Sequence, residues 1–406
     1  NVHEEKFYSN FSHPVLSHAT LKASYSLTAD RGPAFVTNSQ TILNSYSPWR
    51  PSASVTESGM RITELENSEL TYEKKHEFNV GVDLGFLHNR INLAADYYRR
   101  NNFDLIGVIN TQGAGGTIAK YANIASMRSS GIELTLSTQN IKKKGFSWNT
   151  DFIFSKTKNE ITDLKSHANV LDLISGNGFG REGYPVRALF SIPFAGLTED
   201  GLPTFINQDG QRTISTLNFQ EYEKLGFLKY EGPTDPTITG SFGNILTYKN
   251  FKLNVFLTYS FGNVIRLDPV FSSAYSDLDA MPKEFKNRWM KAGDENTTNI
   301  PTIVSYRMNQ QYAYLNMAYN AYNYSDVRIA DGGFIRLKEI SLSYDLPAKV
   351  LNFFRLNKLQ FKIQATNLFL LYADSKLNGQ DPEFFRSGGV STPVPRQFTF
   401  TIRLGL

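Results

Sequence analysis

Apolar and polar side chains alternate with period two in a series of stretches along this chain. In RQFTFTIRLGL (396–406), Phe398, Phe400, Ile402, Leu404 and Leu406 take every second position, with Gln397, Thr399, Thr401, Arg403 and Gly405 between them. That period puts the two sets on opposite faces of a strand. HEFNVGVDLGF (76–86) repeats it with Phe78, Val80, Val82, Leu84 and Phe86, and RINLAADYYRR follows with Ile91, Leu93, Ala95 and Tyr97. Only a short turn at His88 and Asn89 separates the two, so they read as a hairpin. Further strands are predicted at 21–29, 130–138, 146–154, 251–261 and 359–367. The alternation is weaker at 239–248, and 335–346 changes parity partway, as a β-bulge would cause.

The connections fall into two classes. Those at 87–89, 139–145, 249–250 and 347–357 are short, whereas those at roughly 30–75, 108–120, 158–236, 262–327 and 371–394 are long. Short turns at one end and long loops at the other are the mark of a transmembrane β-barrel. Counting back from the last strand keeps every short turn at one end only if 158–236 holds no spanning strand. The stretch VRALFSIPFAGL (186–197) is therefore read as local structure inside a loop. Ten spanning strands result, the first near 19–30, and residues 1–18 are expected to form a leading segment in a periplasmic turn.

Charge decides which face is which. Asp83, Asp96, Glu133, Asp151 and Lys252 lie at positions that alternate with the apolar set. A charge facing lipid at mid-bilayer costs roughly 2–4 kcal/mol, so these residues are expected to face a wet lumen. A soluble β-sandwich has similar alternation, but seldom alternates two-residue turns with loops of this length.

Composition agrees with a large all-β structure. The 406 residues include 30 Phe, 21 Tyr and 29 Gly, which suit long strands and wide turns better than helical bundles. There is no cysteine, so disulfides and thiolate metal sites are excluded. A net charge of +4 without a basic stripe argues against nucleic-acid binding, and the run Lys142–Lys144 reads as a solvated turn. No apolar run reaches the length of a transmembrane helix, and the N-terminal residues lack the features of a signal peptide. A mean hydropathy of −0.33 is compatible with a membrane barrel, which shows only alternate residues to lipid.

Several segments together resemble one family, the SusC/RagA-type TonB-dependent transporters of the Bacteroidota outer membrane. ENSELTYEKKHEFNVGVDLGFLHNRINLAADYYRRNNFDLIG (66–107) is similar to that family's NPxLxWE, NxGxD, NR, DYY and DLL block. SSGIELTL, FSWNTDFIFSKTKNEI, TITGSFGNILTYKNFKLNVFLTYSFGN, RWMKAGDENTTNIP and DGGFIRLKEISLSYDLP resemble later family segments in the same order. The resemblance covers residues 19–406. It implies the C-terminal part of a 22-stranded barrel, strands 13 to 22, with the plug domain and TonB box lying outside these residues. The remainder is expected as a separate polypeptide or as a part trimmed from this sequence.

The implied activity is TonB-dependent active import of nutrients, oligosaccharides first, together with a SusD-like surface lipoprotein. The alternatives are an importer of oligopeptides and a passive, porin-like or structural barrel. The implied partners are the SusD-like lipoprotein, the TonB complex acting through the plug, the N-terminal barrel and plug portion, and outer-membrane lipid, with dimeric SusCD assembly a further expectation and no nucleic acid. Two departures stand out. The chain ends in Leu406 where relatives commonly have Phe, and INQDGQ keeps only Asn207, Asp209 and Gly210 of an Asp-rich loop. That is too few carboxylates for calcium, so no metal and no cofactor is predicted.

Site candidates come from composition within the loops. SYRMNQQYAYLNMAYNAYNYSDVR (305–328) holds Tyr306, Tyr312, Tyr314, Tyr319, Tyr322 and Tyr324 among amides. Tyrosines beside amides stack on sugar rings or peptide side chains and hydrogen-bond them, so these six are the candidate substrate or partner contacts, loop-on-loop packing being the alternative. Asp83, Asp96, Glu133 and Asp151 are the lumen-facing set, lining a substrate path or meeting a plug. His13 and His18 lack metal-ligand spacing on a helix face. No nucleophile elbow, phosphate loop or HExxH occurs, and His167 is the only histidine in a long outer loop, so no catalytic residue is predicted and the chain is not read as an enzyme.

Overall fold

The computed structural model describes residues 15–31, 40–51, 57–110, 113, 118–270, 283–311, 314–385 and 394–405. Ten strands make one antiparallel sheet in sequence order: β1 (Leu16–Asp30), β2 (Glu73–Phe86), β3 (Ile91–Asn110), β4 (Ala119–Lys143), β5 (Phe146–Leu164), β6 (Ile238–Tyr248), β7 (Phe251–Phe261), β8 (Phe334–Asp345), β9 (Lys358–Ala373) and β10 (Gln397–Gly405). Each strand pairs with its sequence neighbours, and β1 and β10 are the two edges. No helix among the described residues is long and apolar enough to cross a membrane.

The short turns have local causes. Leu87, His88 and Asn89 all take left-handed backbone (φ 50, 58 and 61°), Gly145 at φ 82° closes the β4–β5 turn, and Lys249 at φ 51° closes β6–β7. The fourth, between β8 and β9, contains the helix Ala348–Phe354, ended by Arg355 in left-handed conformation.

The parity change within 335–346 is a bulge at Lys338. Leu337 pairs with Leu257 and Glu339 with Phe256, so Lys338 is the extra residue and the strand's two halves face their side chains consistently. The stretch at 186–197 stays out of the large sheet: Ala188–Ser191 pairs with Lys229–Pro233, and Phe194–Leu197 with Pro203–Ile206.

Several boundaries need correction. β3 and β4 run 20 and 25 residues, well beyond the roughly 9–11 that cross a bilayer. The long loop expected at 108–120 thus shrinks to 111–118, and that expected from 158 starts after Leu164. Above the membrane both faces meet water, the apolar alternation lapses, and hydrogen-bonded strand reads in the sequence as loop. β1 starts at Leu16, so the leading segment is shorter than 1–18; His18 lies in the strand with Nδ1 3.2 Å from Asn89 Oδ1. His13 lies outside the described residues. Lys142 and Lys143 belong to β4, leaving Lys144 and Gly145 as the turn.

The register carries each face across the whole sheet. One face holds Leu21, Val82, Ala95, Leu134, Phe154, Tyr259, Leu342, Ile363 and Phe400, and many of its large side chains stand open, among them Leu21 at 69% and Ile363 at 60%. Apolar exposure on this scale marks a surface that meets something other than water. At the short-turn end, Phe146, Tyr248, Phe251, Tyr344 and Phe361 stand side by side on consecutive strands, the Phe251 and Tyr344 rings 4.5 Å apart. At the other end Phe154, Tyr259 and Tyr372 make a second aromatic row, Tyr259 lying over Gly240 and donating to Ile153 O at 2.8 Å. The span from Phe251 to Tyr259, at ~3.3 Å per residue and a tilt of ~40°, is about 20 Å. Two aromatic rows at that separation match the girdles that bracket a membrane apolar band.

Ile363→Arg, on the apolar face two residues inside the Phe361 girdle, is therefore expected to destabilise the inserted protein by ~1–3 kcal/mol, and Gln364→Arg, one residue on, by less than ~1 kcal/mol. Urea midpoints in lipid vesicles check this; equal losses at the two positions would refute the facial assignment.

Candidate functional site

The polar face is a hydrogen-bonded lattice. Asp83, Asp96, Glu133 and Asp151 all stand on it: Asp96 pairs in register with Gly81 and Glu133, and Glu133 with Ser155. Like charges directly opposite each other disfavour a sheet, and Asp96 and Glu133 are such a pair. Lys22 stands across the side-chain gap at Gly81 and forms an ion pair with Asp83. Asp151 accepts from Ser137 Oγ at 2.7 Å, and Glu339 from Asn254 Nδ2 and Ser341 Oγ, both at 3.1 Å. Tyr98 lies over Gly131, its hydroxyl 3.1 Å from Thr157 Oγ1, with the Arg100 guanidinium 4.3 Å from its ring. A methyl at Gly131 would sit 2.5 Å from that ring, so the glycine makes the crossing possible. Ile153, Ile245 and Phe256 are among the apolar exceptions on this face.

At the long-loop end, loop segments fold into a core of their own. Val170, Leu173, Ile174, Phe190, Ile192, Phe205, Phe285 and Tyr322 pack there, fully or almost fully buried. The helix Val170–Ile174 enters it through a capping box, Asn169 accepting from Asp172 N (2.9 Å) while Asp172 accepts from Asn169 N (3.1 Å). Two buried guanidiniums hold the segments together. Arg266 donates to Phe190 O (2.6 Å), Ser191 Oγ (3.0 Å) and Ser325 O (3.1 Å), and Arg328 to Glu284 Oε1 (2.5 Å) and Asp268 O (2.6 Å). A third, Arg336, grips Asp381 through both carboxylate oxygens at 2.5 and 2.7 Å. These three arginines were not foreseen, although an Arg isolated among apolar neighbours, as in VIRLDP and FIRLKE, is the signal that would have found them.

The tyrosines separate by burial. Tyr319 is wholly buried and donates to Thr302 O at 2.6 Å, burial raising its hydroxyl pKa; Tyr322 is 1% exposed, its hydroxyl pushed up to about 12 by burial. Both take the packing role and leave the set of contact candidates, because a ring without exposed surface cannot meet cargo. Tyr324 is half-buried, edge-on to Phe219 and 5.7 Å from the Arg266 guanidinium. Tyr306 is 81% exposed, and Tyr314 lines a cavity with Glu199, Arg212 and Glu295. Tyr312 lies outside the described residues. Both buried rings lie on the helix Leu315–Asn323 with Leu315 and Ala318, at the spacing of one helix face, and a bare tyrosine count does not show it.

The other loop candidates have structural partners. Asn207 Oδ1 accepts from Asp209 N (3.1 Å) and Gln211 N (2.9 Å), closing a turn at Gly210, and Asp209 pairs with Lys224 at 2.8 Å. His167 lines a cavity of about 650 Å³ with Lys120, Lys165 and Asp172, and Asp172 is committed to its capping box.

A cavity of about 480 Å³ beside the pairing of Val264–Arg266 with Ile329–Asp331 was not foreseen either. Glu231, Asn263, Asp326, Asp331 and Asp374 line it, with Lys229 and Lys376. Burial pushes the Glu231 carboxyl up, against the pull of Lys229.

No family model matches the chain. A TonB-dependent receptor of Formosa agariphila is 25% identical over 348 residues, spanning 80% of this chain and 32% of that receptor. The TonB-dependent receptor SusC of Bacteroides thetaiotaomicron is 26% identical over 441 residues, spanning 100% of this chain and 39% of SusC. Among solved structures, the RagAB peptide transporter superposes with a TM-score of 0.76 at 22% identity, covering 98% of this chain and 42% of the transporter chain. The chain thus spans well under half the length of the relatives it matches. Strand order, apolar belt and these likenesses agree in making the chain similar to the C-terminal part of the barrel of SusC/RagA-type TonB-dependent outer-membrane transporters.

Proposed function

We propose that this chain supplies the wall and the outer loop layer of an importer that moves nutrients across the outer membrane under TonB drive, beneath a SusD-like lipoprotein. The observation that carries this reading is the pairing of a belted, lipid-ready sheet with a folded loop core at its long-loop end. That core gives cargo and partner a rigid rim to dock on. The two sheet edges are closed by an N-terminal barrel portion, which also brings the plug on which TonB acts, because an unpaired strand edge in lipid leaves its backbone groups without partners. Asp83, Asp96, Glu133 and Asp151 then face the lumen, and among the described residues Tyr306 and Tyr314 are the candidate rings with the most exposed surface for cargo or partner.

Oligosaccharides are the first cargo class by family resemblance and oligopeptides the second. The acceptor-rich cavity at Glu231 favours the second, since sugars carry no cation. Energised uptake tests the import reading: in cells lacking TonB, uptake through the assembly should fall at least ~10-fold, whereas a passive pore keeps its rate. Intact-mass analysis of the purified assembly identifies every partner chain.

A further inference from the structure

We propose that the cavity lined by Glu231, Asn263 and Asp326 is a receptor for the guanidinium or ammonium group of a basic residue in a short peptide cargo. This inference rests on the import reading and specifies its substrate.

Three observations carry it. The carboxylates are pre-set by backbone donors. Asp326 Oδ1 accepts from Phe194 N (3.1 Å), Asp331 Oδ1 from Gly333 N (2.8 Å), and Asp374 from Asp331 N (2.8 Å) and Lys376 N (2.9 Å). Fixed acceptors lose little freedom when a ligand arrives.

The second observation is a shortage of donors. Lys376 Nζ is taken by Ile329 O at 3.0 Å, which leaves Lys229, 3.3 Å from Asp326 and 3.5 Å from Glu231, as the cation facing this group of acids. The third is that the inner acceptors are under-satisfied. Asn263 is 8% exposed and its Oδ1 meets no donor among the described residues; the Glu231 side chain is 10% exposed and its Oε1 has the Lys229 ammonium 3.5 Å away, outside close hydrogen-bond geometry. Buried acceptors of this kind call for a partner.

Four carboxylates and an orphaned amide oxygen face two ammoniums, one spent on Ile329 O and the other shared between Asp326 and Glu231. A neutral sugar brings one hydroxyl donor with each acceptor and no positive charge to offset the carboxylates. A guanidinium brings five donors and no acceptor, together with the charge that strengthens each bond. The volume suits one side chain and its flanking backbone.

The test uses the complete purified assembly and two five-residue peptides that differ only in a central arginine or citrulline, which has the same shape without the charge. Calorimetric titration is expected to give the arginine peptide a Kd roughly 10-fold lower, the scale of a charged hydrogen bond. Glu231→Gln should bring that ratio below ~3, whereas Lys229→Gln, which removes the competing ammonium, should widen it. A misfolded loop layer cannot tighten binding, so the second variant separates site from structure. Equal affinities for the two peptides, as water alone on Asn263 and Glu231 would give, or a ratio that Glu231→Gln leaves unchanged, overturns the receptor. Energised uptake of the citrulline peptide alongside equal affinities would leave the import reading standing while the receptor falls.

Discussion

Removal of residues 398–406 is expected to abolish assembly: outer-membrane fractions should contain no folded species that shifts on boiling and resists trypsin. β10 pairs with β9 from Lys358 opposite Gly405 to Thr366 opposite Gln397, so the deletion strips one side of β9 of its ladder. In lipid each unsatisfied backbone group costs several kcal/mol, and the exposed edge repeats that cost along the strand. The side chains lost are also the lipid-facing ones, since Phe398, Phe400, Ile402 and Leu404 are 73, 62, 56 and 57% exposed. Phe400→Leu keeps both ladder and parity and should cost less than ~1.5 kcal/mol. Normal insertion and uptake by the truncated protein would show that Gln397–Gly405 does not close the barrel.

The second large effect is expected at Arg336. Its guanidinium and the Asp381 carboxylate are both buried, and Glu383 adds a contact at 3.1 Å. Arg336 pairs with Thr258 on the polar face, so the bond pins the segment around Asp381 against that face. Breaking a buried pair leaves an uncompensated charge and costs ~3–5 kcal/mol. Arg336→Met and Asp381→Asn are each expected to show a loss on that scale in urea titrations of the purified assembly. The double variant should lose clearly less than the two singles together, because neither buried charge remains and Glu383 is 39% exposed to water. Strict additivity would mean that the two groups do not act as a pair.

Glu339 and Lys338 show why some of the fold could be read directly. The bulge declared itself as a break in parity, because one extra residue reverses every side chain beyond it. The tops of β3, β4 and β5 gave no such sign. Residues such as Arg128, Ser129, Asn159 and Glu160 are polar at successive positions, so no apolar alternation marks them, and only backbone pairing shows them to be strand.

The loop layer was the least legible part. Tyr319 and Tyr306 sit thirteen positions apart in the same tyrosine-rich stretch, yet one is wholly buried and the other 81% exposed. Composition treats them alike. Their difference comes from which turn of which short helix meets Thr302 and the cluster at Leu202, and those partners arrive from other segments.

Period-two patterning and turn chemistry are local and a lipid-facing charge is costly, so the ten strands, their order, the two faces and the end at which the long loops lie can be read from the residues alone. Tertiary structure alone decided which loop side chains are buried, where Arg266, Arg328 and Arg336 anchor, and that Glu231, Asn263 and Asp326 share one cavity. Those placements depend on contacts between segments far apart in the chain, and no local pattern encodes them.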